Sequence, residues 1–309
     1  MHKPRKNQVL EGLLCAVVGS GALISAPAYS APADVIKHDD FEGGMEHTQK
    51  TWRRRPSGVF PDIHFPYSGR IDVAPGDEQN GNKSFRFEWR EADSDGKNPS
   101  RHAELITQSF PYEATSTKLD QWLGFRVYID PKFLGPDDQP VVLMQYHDTP
   151  GRDADGKPTE SGRNPMAALS YHKGEFQYGW KGDTNEVTTK NDKGAWIYTQ
   201  KGSFPLGAAK EGWNTFVFRH KFDWEGQGAV EIWCNDKYFT RQNIQLGYND
   251  KVGPYMKFGF YWYTGRSVPN PPAPTPERVV WFDDMKVGSA NATYADMRPP
   301  GSAPVTPGP

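Results

Sequence analysis

The chain has 309 residues, a formal charge of −2, 13% aromatic residues including 10 Trp, and two cysteines. A balance this close to neutral excludes a general electrostatic binder of nucleic acid, while leaving room for a local basic cleft. The length supplies an ordinary hydrophobic core for one or two domains, and abundant aromatics suit both a buried sandwich core and a sugar-stacking platform.

In chain order, the first thirty residues read as a targeting segment. His2, Lys3, Arg5 and Lys6 precede an apolar run over 13–26, and small residues follow at Ala28 and Ser30. This is the pattern of a signal peptide, residues 1–30, cleaved near Ser30, which predicts a secreted or periplasmic chain. Gly19, Ser20 and Gly21 break the apolar run, which is too short for a membrane anchor. Cys15 follows two leucines and lacks the small residue that normally precedes a lipidated cysteine. Cleavage leaves Cys234 as the sole cysteine, so no intrachain disulfide is expected.

From residue 31 onward, no long stretch carries a helical period. Short alternating runs separated by Gly, Pro, Asn and Asp predict strands over 84–90, 122–129, 141–147, 214–222, 229–234, 237–241, 255–263 and 279–287. The expectation is one all-β sandwich over 31–297, without an internal repeat or a dividing linker. Two long loops, 148–165 and 269–276, stand out as functional or mobile candidates. The Pro/Gly-rich tail, 298–309, is expected to be disordered.

Three segments hold residues suited to chemistry. In 255–263, side-chain alternation puts Met256, Phe258, Phe260 and Trp262 on one face, and Tyr255, Lys257, Gly259, Tyr261 and Tyr263 on the other. In 141–147, Gln145 and His147 share a face, roughly 7 Å apart. The segment Arg101-His102-Ala103-Glu104-Leu105 places charged groups at a strand entry. Each also has a plain structural reading: tyrosines in solvent, a histidine closing a strand, charges facing water.

Together, Arg101-His102-Ala103-Glu104-Leu105, Gln145-Tyr146-His147 and Tyr255-Met256-Lys257-Phe258-Gly259-Phe260-Tyr261 resemble the motif strands of the jelly-roll polysaccharide lyases. That group contains alginate lyases, glucuronan lyases and the heparin lyase I group. The likeness leans to the heparin lyase I and glucuronan lyase branch, running from Asp40-Phe41-Glu42-Gly43 to Trp281-Phe282-Asp283-Asp284. The resemblance implies a concanavalin-like β-jelly-roll of two antiparallel sheets with a concave groove, cleaving an acidic, uronate-containing polysaccharide by β-elimination. Gln145 and His147 take the family's Gln-x-His positions, Tyr261 its catalytic tyrosine, and Lys257 the lysine of that strand. The alginate-lyase pattern is Arg-x-Glu, whereas this chain has Arg-x-x-Glu. Either a bulge returns Arg101 to the groove or His102 has taken its place; Arg101 is assigned to catalysis and His102 to substrate binding.

Elimination removes the C5 proton beside a carboxylate and expels the oxygen at C4. Gln145 and Arg101 would neutralise that carboxylate, stabilising the enolate-like transition state. Tyr261 is the candidate acid, and either Tyr261 or His147 the base. Tyr263 and Arg266 are assigned to neighbouring sugars. No cofactor is required. Glu42 and Asp283 offer hard oxygen ligands for a structural calcium ion between the first and last strands. The chain is expected to act as a monomer with a polyanionic glycan as partner, glucuronan before alginate; the overall charge of −2 speaks against heparin. Two other classes fit the same fold. A retaining glycosidase needs two close carboxylates, for which only Glu91, Asp93 and Asp95 present themselves, running into a turn. A lectin-like module would keep the aromatic groove without the Gln/His/Tyr set.

Overall fold

The computed structural model describes residues 34–52, 69–90, 101–107, 118–134, 140–149, 155, 157, 162–262, 277–300 and 302. All of them fall within one compact unit, Ala31–Pro309. The signal peptide expected at 1–30, the loop expected at 269–276, Tyr263 and Arg266 lie outside the described residues.

One antiparallel sheet is centred on β13 (Glu277–Gly288). Its strand order is β2 (Gly69–Val73), β3 (Lys83–Arg90), β13, β5 (Leu119–Ile129), β10 (Gly212–Cys234), β11 (Lys237–Tyr248). β1 (Val35–Asp39) pairs with the second half of β13, beyond the stretch that β3 occupies. The second sheet runs β4 (Arg101–Ile106), β12 (Val252–Trp262), β6 (Val141–Thr149), β7 (Ala167–His172), β8 (Glu175–Asp183), β9 (Gln200–Ala208). β11 turns the corner between them: its body pairs antiparallel with β10, while Gly247 and Tyr248 pair in parallel with Gly182 and Asp183 of β8. This is the expected jelly roll. Helix is confined to α1 (Gly44–Thr51) and a single turn, α2 (Tyr294–Met297), among the described residues. The two strands read at 214–222 and 229–234 are one, β10, whose pairing with β11 is interrupted between Asp223 and Gly228.

The core lies between the sheets, and the high aromatic content is spent there. Phe85, Phe87, Phe125, Phe216, Phe218, Phe258 and Phe282 are all buried in one cluster, each contributing roughly 1.5–3 kcal/mol of burial free energy. Tyr146 and Tyr178 belong to the same cluster. β10 adds a group that hydropathy would not place inside. His220 is fully buried and stacks between Phe218 and Phe222, at 5.4 and 5.5 Å between ring centroids. Burial pushes its imidazole down to about 3, so it sits in the core as a neutral aromatic ring.

A smaller cluster forms where α2 closes over the other face of the first sheet, with Trp122, Val217, Trp233, Ala292 and Met297 buried together. Lys286 donates to the carbonyls of Asp296 and Arg298 at 3.2 and 3.1 Å, anchoring the chain as far as Arg298. No helix among the described residues is long and apolar enough to cross a membrane.

Candidate active site

The site is built on three neighbouring strands of the second sheet, β4, β12 and β6. β12 alternates as its sequence predicts. Met256, Phe258, Phe260 and Trp262 are buried in the core, whereas Tyr255, Lys257 and Tyr261 are only half-buried on the open face. One irregularity interrupts it. Phe258 pairs with Met144 and Tyr261 with Val142, so two residues of β12 face one of β6. The extra residue belongs to a bulge containing Gly259, whose φ is +136°. A Cβ there would come within 2.3 Å of the Ala103 carbonyl oxygen and 2.9 Å of the Phe87 ring, so only glycine fits. Bulges of this kind re-aim side chains beside a site, and this one carries Tyr261.

β6 holds a second irregularity. Strict alternation would put Val141, Leu143, Gln145 and His147 on one face. Instead the pairing with β7 shifts between Val142 and Met144, and Val141, Leu143, Met144 and Tyr146 are all in the core. After the shift, Gln145 and His147 occupy the open face, opposite Lys257 and Tyr255 of β12 respectively. The row of Tyr261 and Val142 and the row of Lys257 and Gln145 are three steps apart on β6, about 10 Å.

β4 pairs with β12 from Ile106 to Arg101 with no shift in register. His102 therefore stands opposite Tyr261, Glu104 opposite Gly259, and Arg101 opposite Trp262. The ladder contains no bulge to bring Arg101 to the position of His102; the side chains of these two lie outside the described residues.

Glu104 is the centre of the site. Its carboxylate is 3% exposed and accepts a hydrogen bond from Gln145 Nε2 at 2.5 Å. Lys257 Nζ lies 3.7 Å from its other oxygen. Burial raises the Glu104 carboxyl above its ordinary range; Lys257, the Gln145 hydrogen bond and His147 oppose that shift. The amide of Gln145 is thereby oriented, with its second N–H still to donate. Sequence reasoning left Glu104 out of the site because a charge at a strand entry normally faces water.

His147, 20% exposed at its side chain, is held from two sides. Its ring stacks on Tyr255 at 5.5 Å with 14° between planes. Its Nδ1 lies 3.0 Å from Asp148 Oδ1. Asp148 in turn accepts from Arg163 Nε at 3.0 Å. Arg163 also donates to both oxygens of Asp250, at 2.5 and 2.6 Å, and to Thr188 at 3.2 Å, with its guanidinium 4.2 Å from the Tyr248 ring centroid. Asp148, Arg163 and Asp250 are fully buried. Asp148, the first residue of the loop predicted over 148–165, instead belongs to β6. Arg163 and Asp250 are 15 and 102 positions further on, and nothing local in the sequence ties them to a histidine.

The residues expected to hold calcium do not fit that ion. Asp283 is engaged by Arg126 through a pair of hydrogen bonds, and Arg126 also reaches Asp284 at 2.9 Å. Burial and the neighbouring Asp284 push the Asp283 carboxyl up to about 8, against the pull of Arg126. Glu42 accepts instead from the Lys83 backbone N–H at 2.5 Å. Asp283 is thus already paired with an arginine, and no group of three or more His, Cys, Asp or Glu among the described residues is arranged for a metal.

The open face of this jelly-roll sheet thus carries an amide, an imidazole, an ammonium and a phenol, from Gln145, His147, Lys257 and Tyr261. The family model described as polysaccharide lyase matches residues 45–286, and the chain belongs to that family. It is therefore a polysaccharide lyase. Its fold is similar to that of an endo-β-1,4-glucuronan lyase from the fungus Trichoderma reesei, with a TM-score of 0.58 and 15% identity, covering 77% of this chain and 92% of that one. An alginate lyase, vAL-1 from Chlorella virus, is also similar, with a TM-score of 0.49 and 11% identity over 82% and 99% of the two chains. No curated protein matches the sequence.

Proposed function

We propose that this lyase cleaves a uronate-containing polysaccharide by β-elimination, with glucuronan preferred and alginate next. The observation that carries the reading is the Glu104–Gln145–Lys257 cluster, which shares an open face with His147 and Tyr261. A uronate carboxylate set over this cluster would meet the second N–H of Gln145 and the ammonium of Lys257. Both oppose the charge that grows as C5 loses its proton, in a site where preorganised donors are strongest. The register of β4 favours His102 over Arg101 as a further donor beside Tyr261. Tyr261 serves as the acid for the leaving oxygen, and His147 or Tyr261 as the base, according to which ring face carries the C5 proton. The preference for glucuronan draws on the sequence resemblance and on the likeness of fold to a glucuronan lyase. Residues 1–30 act as a cleaved signal peptide, and the mature chain works outside the cytoplasm as a monomer, with Tyr263 and Arg266 contacting neighbouring sugars.

The test is a panel of glucuronan, alginate and heparin incubated with the purified chain. Elimination leaves an unsaturated uronate, read by its ultraviolet absorbance. Reducing ends without that absorbance would mean hydrolysis, and binding with neither product would mean a lectin; either result sinks the proposal.

A further inference from the structure

The buried triad behind His147 calls for an explanation that stability does not provide. Two carboxylates and a guanidinium taken wholly out of water carry a desolvation cost of several kcal/mol per ion, and well-packed apolar residues would commonly serve stability as well. Here all three are fully buried and hydrogen-bonded in series, and the series ends on the half-exposed imidazole of His147. Thr188 and the Tyr248 ring also contact Arg163.

We infer that Asp148 is a positioning residue that selects the tautomer of His147, and that Arg163 and Asp250 hold Asp148 in place to do so. This rests on the lyase reading above. The chemistry follows from the donors available. Arg163 Nε–H can only donate, so Asp148 Oδ2 must accept. The second oxygen of that carboxylate also only accepts, so His147 Nδ1 carries the proton. The neutral ring then presents the lone pair of Nε2. Tyr255, stacked on the ring, fixes its plane. When Nε2 takes the C5 proton, the C–H electron pair becomes the C4–C5 double bond, the C4–O bond breaks, and the leaving oxygen takes a proton from Tyr261. The imidazolium so formed is stabilised by the carboxylate at Nδ1. A histidine held in the right tautomer by a buried acid is the arrangement of the catalytic triads, built here from a different set of strands.

The substitution that isolates the effect is Asp148→Asn. Arg163 Nε still needs an acceptor and will face the new amide oxygen. The amide NH2 is then turned towards His147, and Nδ1 must accept. The ring becomes the Nε2–H tautomer and loses its outward lone pair. Long-range proton–nitrogen correlation spectra of the full chain with labelled histidine rings read the tautomer directly, and His147→Gln assigns the resonance. The expected result is Nδ1–H in the wild type and Nε2–H in Asp148→Asn. On the substrate that the wild type cleaves, kcat should fall on the order of 100-fold with KM changed less than about threefold. A wild-type ring protonated on Nε2 overturns the inference without any variant being made. So does a folded Asp148→Asn chain whose kcat stays within about threefold of wild type, because a merely structural hydrogen bond predicts that outcome. A wild type that eliminates no uronan overturns the catalytic role together with the lyase chemistry, whereas the tautomer is judged by its own spectrum.

Discussion

Gln145 and Glu104 bond to each other across an intervening strand. Gln145 is on β6 and Glu104 on β4, yet Nε2 and Oε1 are 2.5 Å apart, over the backbone of β12. On β12 the residue opposite Glu104 is Gly259, and the residue opposite Gln145 is Lys257. Gly259 also belongs to the bulge that carries Tyr261.

Glu104→Gln should keep the shape of the cluster and remove its charge. Lys257 loses its counter-ion, and the Gln145 amide loses a charged acceptor. Exchanging a charged acceptor for a neutral one weakens a hydrogen bond by about 1–1.5 kcal/mol, so kcat/KM should fall by about 5- to 13-fold. Steady-state kinetics on the preferred glycan check this, with thermal melting to verify that the fold survives. An unchanged kcat/KM would mean that Gln145 needs no such orientation.

Tyr261→Phe removes a single phenolic oxygen. Turnover should drop by about 100-fold or more, as expected for loss of a general acid, while glycan binding measured by calorimetry stays near wild type. Full activity in this variant would take Tyr261 out of the chemistry.

Gly259→Ala tests the bulge. At φ +136° an alanine is strained, and its Cβ would press on the Ala103 carbonyl oxygen. Backbone strain alone costs about 1–3 kcal/mol, and the contact adds to it. Chemical denaturation should show at least that loss, and the re-aimed Tyr261 should lower kcat in the surviving folded fraction. Wild-type stability in this variant would mean that the backbone adopts another conformation there.

His220 makes the fold sensitive to acid. Its folded value, about 3, is below that of a free histidine, near 6.5. Between these limits the unfolded chain binds a proton that the folded chain refuses, so stability present above pH 6.5 is lost as the pH falls towards 3. By pH 5 the loss is about 2 kcal/mol. Neither ring nitrogen has a hydrogen-bond partner among the described residues, so His220→Phe should preserve the stack and remove the titration. Urea unfolding at pH 7 and pH 5 should show a smaller difference in the variant than in the wild type. Equal differences would mean that other groups set the acid limb.

The alternation of 255–262 could be read directly, because which face a strand residue occupies is a local property of the backbone. The same reasoning identified Gln145 and His147, although in β6 strict alternation would have grouped them with Val141 and Leu143, which the structure buries. The register shift that separates these pairs has no signature in an apolar run. β7, β8 and β9 are absent from the predicted strands, although β8 alternates Phe176, Tyr178 and Trp180 against Glu175, Gln177 and Gly179. Glu104 and Asp148 looked like ordinary surface charges, and His220 had no pattern to mark it.

The amino-acid order alone determined an all-β chain, its family, and the three strands of the candidate site, since each depends on residue type and short-range periodicity. The tertiary structure decided what stands beside what: Glu104 beneath Gln145, and Arg163 and Asp250 behind His147. Those contacts join residues 15 to 87 positions apart. They depend on strand order, on two bulges and on burial, and none of these leaves a mark within a single stretch of sequence.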